Sequence, residues 1–468
     1  MGRERVDVAI VGGGPAGASA AEQAAAHGAE TVLFEQGVPR EDRDGLGPDS
    51  TDAAGMLDYW IDIMEFDYEE IPDEVVLQEL DAVDFVGPST SVEMTTTGIE
   101  ASYSKFGYTF HRARMDDWLY ERAADAGADL RVGTSVSNLE TDLSGPSPTH
   151  TLTLASGDEI ETDHVVLADG PQRRITLNAL DQFMPDGTSV SEYLSPPTAN
   201  HIAYQEYREF PEELFEKNRL KFWWGYMPGE TAYPWVFPND GTVARVGLTM
   251  PIGMSLEDVA HPESYKLLKP TDERIPAGSE YVRRLLELEY GDEYDIEEDF
   301  PVVEDRGKSK GTETYPISST RPIESPVDAN IAVAGGAMGT TSAFHEGGYH
   351  VAVRTGKIAG RLAATDGIEH YNDVWKRAIG DEILRNVTFA DIVADYEPDD
   401  WDRVFDIVSG MTGSESSGSL LGKKYSAGIG ATKILAQYKK RKYSYRNGKY
   451  VQLREDEYEY EYEYESGN

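Results

Sequence analysis

An α/β fold is predicted, in which a nucleotide-binding unit is interleaved with a sheet-rich region and followed by a helical, basic tail. Three observations predict it. Residues 6 to 35 run strand, glycine turn, helix, strand. From about 190 to 310, aromatic and β-branched runs alternate with Gly, Pro and Asp turns, as in a separate sheet. Near residue 330 the strand-to-glycine-turn pattern returns. At 468 residues, the chain has room for two or three domains.

The first element is the apolar strand "VDVAIV", which enters "GGGPAG". Gly12, Gly14 and Gly17 take the Rossmann-type spacing G-x-G-x-x-G between a strand and a helix. The first glycine permits the tight turn, the second lets backbone approach a pyrophosphate, and the third lets helix and strand pack closely. Ala16 lies in the first helical turn, where free N–H groups and positive partial charge suit an anion. Glu35 ends the second strand, "TVLFE", where a carboxylate can accept a ribose hydroxyl. A chance glycine turn is the bland alternative, and the strand-turn-helix setting argues against it.

The later elements follow the same logic. "RARMDDWLYERAADAGADL" (112 to 130) has helical apolar spacing at Met115, Leu119 and Ala123. "HVVLADG" (164 to 170) is a buried-looking strand that ends in Asp169 and Gly170. In "AYPWVFP" (232 to 238), Tyr233, Trp235 and Phe237 alternate and so share one face of a strand. "NIAVAGGAMG" (330 to 339) is a strand into a glycine-rich turn, and "EGGYHVAVRTGKIAGRLAA" is a helix despite its glycines. "KYSYRNGKYVQL" predicts a hairpin about Asn447-Gly448. The closing run of Glu and Tyr is low in complexity and predicts no structure.

Composition narrows the chemistry. The chain holds 85 acidic against 42 basic residues, a formal net charge of -43. So large an excess strains a compact fold by self-repulsion unless molar salt screens it, which is the reading that the even spread of acid favours over acidic tails. Nucleic acid is excluded as a partner for want of a basic footprint. The absence of cysteine removes disulfides, thiolate zinc sites, Cys-ligated clusters and Cys nucleophiles, and no metal site is expected. With no leader pattern and no run of about 18 apolar residues, the expected place is the cytoplasm. The tail reverses sign: Ser416 to Arg454 contains ten Lys and Arg and no acidic residue. Ala431, Ile434, Leu435 and Tyr438 fall on one helical face of it. Two uses stay open, a peripheral contact with an anionic membrane or neutralisation of the acidic body.

Taken in order, these motifs resemble the geranylgeranyl reductase family, FAD-dependent oxidoreductases of the aromatic hydroxylase-like flavoproteins, of which this is a haloarchaeal-looking example. The likeness covers roughly residues 5 to 365. "VAIVGGGPAG" with Glu35 is similar to the family's FAD-binding start; "RARMDDWL" resembles its R-x-x-F-D-x-x-L segment, which puts Arg112 near the flavin. "ADG", with Asp169 and Gly170, is similar to its second FAD motif, and "YPWVFPN" resembles Y-x-W-x-F-P-K, its substrate-cavity motif. The resemblance implies a Rossmann-type FAD-binding domain from residues 1–75, 105–175 and 311–366. A substrate-binding sheet domain would come from 76–104 and 176–310, a helical region from 367–442, and a hairpin and tail from 443–468. It implies hydride transfer from reduced flavin to isoprenoid double bonds of archaeal-type lipids or a prenyl quinone. Tyr233, Trp235 and Phe237, with Trp223 and Trp224, would then line an apolar tunnel; an ordinary core strand is the alternative. No second strand-linked glycine motif exists for a nicotinamide, so electrons come from a ferredoxin-like protein or from NAD(P)H bound otherwise.

The chain departs from the family in three places. Where the family has G-D-A-A-G this sequence has "AGGAMG", with Gly335 taken as the aspartate's position and Gly339 as the closing glycine. Where some members have a cysteine near the reacting carbon, "GLGPDSTDAAG" offers Asp49 or Ser50. Asn239 replaces the substrate motif's lysine. Asp49 and His345 are the candidate proton donors. A monooxygenase of the same architecture and a flavin-binding protein without reductase activity remain as alternatives.

Overall fold

A computed structural model describes residues 4–37, 54–412 and 420–460. Two seven-stranded sheets and one small sheet form the framework. The first sheet contains β1 (Glu4–Val11), β2 (Thr31–Phe34), β8 (Asp129–Arg131), β9 (Val136–Asp142), β10 (Thr149–Leu154), β11 (Glu159–Leu167) and β17 (Ile331–Val333). Its strand order is β8-β2-β1-β11-β10-β9, and β17 lies beside the C-terminal end of β11. The pairs among β8, β2, β1, β11 and β17 are parallel, whereas β9 and β10 run antiparallel. β1 and β2 end in continuous apolar runs because both of their faces are buried there.

Small residues set how closely those helices pack. A Cβ placed on Gly356 or Gly360, in the Tyr349–Ala364 helix, would lie 2.0 Å from the carbonyl oxygen of Ala16 or Ala20, in the Pro15–Ala26 helix. The glycines that look unfavourable for a helix are therefore what lets the two helices cross almost backbone to backbone.

The second sheet is built from β5 (Ala82–Val86), β6 (Ser91–Met94), β12 (His201–Glu209), β13 (Arg219–Trp223), β14 (Tyr233–Pro238), β15 (Val243–Pro251) and β16 (Thr312–Ile317). Its order is β16-β12-β15-β14-β13-β5-β6, antiparallel except where β13 meets β5. One face packs Ala244, Val246 and Leu248 against the Gly278–Tyr290 helix. The other carries Tyr233, Trp235 and Phe237. The third sheet, β3 (Gly55–Leu57), β7 (Gly107–Phe110) and β4 (Val76–Leu80), lies against that aromatic face: a Cβ on Gly55 would meet the Phe237 ring at 2.7 Å.

The predicted hairpin at Asn447-Gly448 does not form. The last long helix runs on to Ser444, and the chain then turns so that Tyr445, Tyr450, Val451 and Leu453 are buried in the first core, with Leu453 bridged to Ile323. Asn447 and Gly448 do take the positive φ of a tight turn, +61° and +76°, but the flanking residues bury their side chains instead of pairing as strands, because an isolated hairpin is marginal in water. Among the described residues no helix is long and apolar enough to cross a membrane, and no group of three or more His, Cys, Asp or Glu could hold a metal ion.

Candidate cofactor and substrate site

Three loops meet at the C-terminal ends of β1, β11 and β17, the place where open parallel sheets bind ligands. Gly12 has φ +100°, and a Cβ there would come within 2.4 Å of the Ala168 carbonyl oxygen; one on Gly17 would lie 1.8 Å from the Gly12 oxygen. Gly14 differs, for a Cβ there would meet nothing within 4 Å. Gly14 caps the Pro15–Ala26 helix without any side-chain hydrogen bond, and that helix has no acidic residue in its first turn. The result is a cradle, open at Gly14 and backed by unclaimed N–H groups at a helix N-terminus, which fits a pyrophosphate. Glu35 sits over this turn and accepts the Gly13 N–H at 2.7 Å and the Gly37 N–H at 2.6 Å. A carboxylate has lone pairs to spare beyond these two bonds, so Glu35 fits a ribose hydroxyl as well.

The second loop is less simple than its sequence. The Asp169 carboxylate accepts from the Ile175 N–H at 2.7 Å, the Thr176 N–H at 3.2 Å and the Thr176 hydroxyl at 2.5 Å, so its side chain starts the Arg174–Asp181 helix while its backbone abuts Gly12 of the cradle. Gly170, at φ +75°, leaves open space. Arg173 is fully buried, with burial pushing it down to about 10, and donates to the carbonyls of Ala337 and Pro197, both at 2.8 Å. It thereby clamps the second loop to the third.

In the third loop, Gly335 does not hold the place of the missing aspartate. It has φ +61°, its N–H is already donated to the Thr355 hydroxyl at 3.0 Å, and a Cβ would press on that of Ala16 at 2.7 Å. Matched residue by residue against G-D-A-A-G, Gly335 to Gly339 put Gly336 at the aspartate, and a Cβ on Gly336 faces Gly170 and Pro171. Gly339, at φ +84°, is hemmed in by the Arg321 carbonyl and by Arg173. Arg112 lies at the start of the Arg112–Asp125 helix, with Nε on the Asp116 carboxylate at 2.9 Å and its guanidinium 4.7 Å over the Tyr349 ring. It thus reaches the N-terminus of the Tyr349–Ala364 helix.

The aromatic wall is present, with one change of membership. In β14 and β15 the register pairs Tyr233 with Thr249, Trp235 with Gly247 and Phe237 with Arg245, so these six share a face. Trp224 stacks on Tyr233 at 4.3 Å, and Phe222 packs edge-on against Tyr233 and Phe237. Trp223 points to the opposite face, among residues packed on the Gly278–Tyr290 helix, because neighbours in a strand alternate. The three wall rings are buried and packed together in this structure.

Sequence reasoning missed what holds the wall to the cofactor side. The Tyr233 hydroxyl donates to the His345 carbonyl at 2.6 Å. Glu346, at φ +58° with its side chain only 3% exposed, accepts from the Thr231 hydroxyl at 3.0 Å and from the Thr249 hydroxyl, and His201 Nε2 stands 3.5 Å away. Burial holds the Glu346 carboxyl above the ordinary glutamate range. His345 is half-buried with its Nε2 shut off from solvent; desolvation pushes it down to about 4, and its ring stacks on Trp60, which stacks in turn on His350. Its Nδ1 accepts the Gly347 N–H at 3.2 Å, which leaves the proton of a neutral ring on Nε2. Asp49 lies outside the described residues. A carboxylate one position after a noted histidine was the only available signal for Glu346.

The comparisons agree with this geometry. The family model for FAD dependent oxidoreductases matches residues 7–162. The chain is 24% identical over 413 residues to digeranylgeranylglycerophospholipid reductase of Methanocaldococcus jannaschii, covering 85% of this chain and 89% of that protein. It is 26% identical over 416 residues to the protein of the same name from Methanothrix thermoacetophila, covering 86% and 90%. In structure it is similar to a geranylgeranyl bacteriochlorophyll reductase-like protein of Thermoplasma acidophilum, with TM-score 0.67 and 18% identity over 95% of this chain and all of that one. The chain is an FAD-dependent oxidoreductase with the fold of these proteins, and the resemblance read from its motifs holds.

Proposed function

We propose that the protein is a reductase that hydrogenates the geranylgeranyl double bonds of archaeal-type membrane lipids. The observation that carries this reading is the buried aromatic face of β14, tied by Tyr233 and Glu346 to the loop that opens onto the FAD cradle. The relatives' names supply the substrate class. Bound FAD, when reduced, supplies hydride for such chemistry. Gly12, Gly14, Ala16, Gly17 and Glu35 would hold its dinucleotide end, with Arg112, Gly336 and Gly339 nearer the ring; Tyr233, Trp235, Phe237 and Trp224 would orient an apolar chain and exclude water.

A proton must also reach the second alkene carbon. His345, neutral at pH 7, is poorly placed to lose one, whereas Glu346 is kept protonated more readily by its burial. Glu346 therefore joins Asp49 as a candidate acid. Around the site we place a cytoplasmic, salt-adapted protein that receives electrons from a ferredoxin-like protein or NAD(P)H. It would touch anionic lipid through the basic helix on which Leu435 and Tyr443 are exposed.

The test is anaerobic: the FAD-loaded protein, purified in molar salt and reduced with dithionite, is incubated with digeranylgeranylglyceryl phosphate, and the lipid is weighed by mass spectrometry. Gain of one H2 per double bond is expected. An unchanged lipid beside fully reduced flavin overturns the reading.

A further inference from the structure

Four buried arginines invite comparison. Arg208 pairs with Glu206 at 2.7 Å, and Arg284 with Asp272 and Glu280 at 2.6 and 2.7 Å. Arg173 gives Nε and Nη1 to carbonyls at 2.8 Å and leaves only Nη2 without a partner. Arg245 is the least satisfied of the four. It is fully buried, yet only Nη2 finds partners, the carbonyls of Ala54 and Phe110, both at 3.3 Å; Nε and Nη1 have none. Among the described residues no carboxylate comes within salt-bridge distance of it. A buried cation in this state is costly and calls for an anion.

A second unpaired donor lies just beyond the end of β14. Asn239 is fully buried; its Oδ1 accepts the Asp240 N–H at 2.9 Å, while its Nδ2 has no partner. Phe237 faces Arg245 across the strands, and Asn239, two residues beyond Phe237, carries the pairing one step past β14 through its N–H on the Val243 carbonyl at 2.8 Å, so both donors lie at the same end of the wall. Tyr233 and its bond to the His345 loop mark the other end. Six residues of strand separate Tyr233 from Asn239, about 20 Å. The wall is thus apolar along its length, bound to the cofactor side at one end, and provided with three hydrogen-bond-hungry nitrogens at the other. The motif's lysine, absent at Asn239, is replaced by a cation on the neighbouring strand.

We infer that Arg245 and Asn239 form an anion subsite that receives the phosphate of the substrate lipid, and so fix which end of the chain lies at the far end of the wall. This rests on the reductase reading. Guanidinium and phosphate are well matched partners, and pairing them in a dry site is worth far more than at a surface. Both donors are shut off from water here, so the anion enters together with the chain that the wall carries.

The experiment uses FAD-loaded protein and two probes, digeranylgeranylglyceryl phosphate and the same lipid without its phosphate, with binding followed by tryptophan fluorescence. Wild type is expected to favour the phosphorylated lipid by about 30-fold or more, the lower bound for a buried charge pair. Arg245→Met should bring the ratio of the two dissociation constants near one, Arg245→Lys should restore part of it, and Asn239→Ala should lower it by a smaller factor. A wild type without preference, or an Arg245→Met or Asn239→Ala protein that keeps the full preference, overturns the subsite. If Arg245→Met does not fold, Asn239→Ala decides alone. Inorganic phosphate is the remaining probe: if it raises the melting temperature of wild type while the two lipids bind equally, the ligand is free phosphate and the head-group assignment fails. Reduction of both lipids without preference would sink the subsite and leave the reductase reading intact; reduction of neither strikes that reading itself.

Discussion

Gly14→Ala separates folding from cofactor binding in a way that the neighbouring glycines cannot. Gly14 has φ -69° and ψ -176°, ordinary for alanine, and the added methyl meets nothing within 4 Å. Losing glycine at the N-cap costs up to about 1 kcal/mol, and the smaller entropy of the unfolded chain returns about 0.4–1. The flavin-free variant should therefore melt within about 2 °C of wild type. The same methyl occupies the space through which backbone approaches a pyrophosphate, so FAD should bind at least tenfold more weakly, about 1.4 kcal/mol. Gly17→Ala is the contrast: its methyl would lie 1.8 Å from the Gly12 oxygen, and the flavin-free protein itself should lose about 1–3 kcal/mol. Calorimetry of both apoproteins and titration with FAD give the four numbers. A Gly14→Ala protein that binds FAD like wild type would refute the cradle.

Three further outcomes follow from the site. Gly335→Ala should lower the melting temperature, by about 1–3 kcal/mol of stability, because φ is +61° and Ala16 is in the way, while Gly336→Ala costs less; equal losses would undo the reassignment. Glu346 is held above its ordinary value, so the folded state binds its proton more tightly, and stability falls as pH rises from the glutamate range towards the raised value. Glu346→Gln should flatten that part of a melting-against-pH curve, and an unchanged slope counts against a buried acid. His345 moves the other way: its folded value is about 4, so its contribution is whole above the ordinary histidine value and fades as pH drops from about 6.5 through 4. His345→Asn should be less acid-sensitive than wild type between those limits, as read by the same curves.

Much of this was legible because it is local. The glycine spacing at Gly12, Gly14 and Gly17, the strand before it and the Arg112–Asp125 helix each declare themselves within a dozen residues. The alternation of Tyr233, Trp235 and Phe237 likewise gave one face, but adjacent Trp223 and Trp224 had to part, and a strand's period of two already required it. What stayed hidden depends on distant partners. Glu346 is met by Thr249 and His201, from strands whose register no local pattern reveals, and by Thr231 in the turn before β14. Asp169 has a second role that the motif did not announce, for its carboxylate also binds the threonine seven residues on. Asn447-Gly448 is a strong hairpin signal, overruled by burial of Tyr445 and Tyr450.

The loop before the Tyr349–Ala364 helix explains why two sheets of different origin hold one site. On one side this loop begins a helix that crosses the Pro15–Ala26 helix almost backbone to backbone, at Gly356 and Gly360, and so is fixed relative to the FAD cradle. On the other, Tyr233, Thr231 and Thr249 of the second sheet spend their hydroxyls on its His345 carbonyl and Glu346 carboxyl. The left-handed backbone at Glu346 costs about 1 kcal/mol or more for a residue other than glycine and is retained because it turns the carboxyl back into the sheet. Distance between cradle and wall is thereby set by buried hydrogen bonds with no water to replace them, and each one lost leaves a partner unpaired at about 1–3 kcal/mol. Tyr233→Phe removes one such bond and little volume. It should therefore loosen the wall from the cradle before it unfolds either sheet, appearing first as weaker coupling between lipid binding and FAD binding and only second as a lower melting temperature.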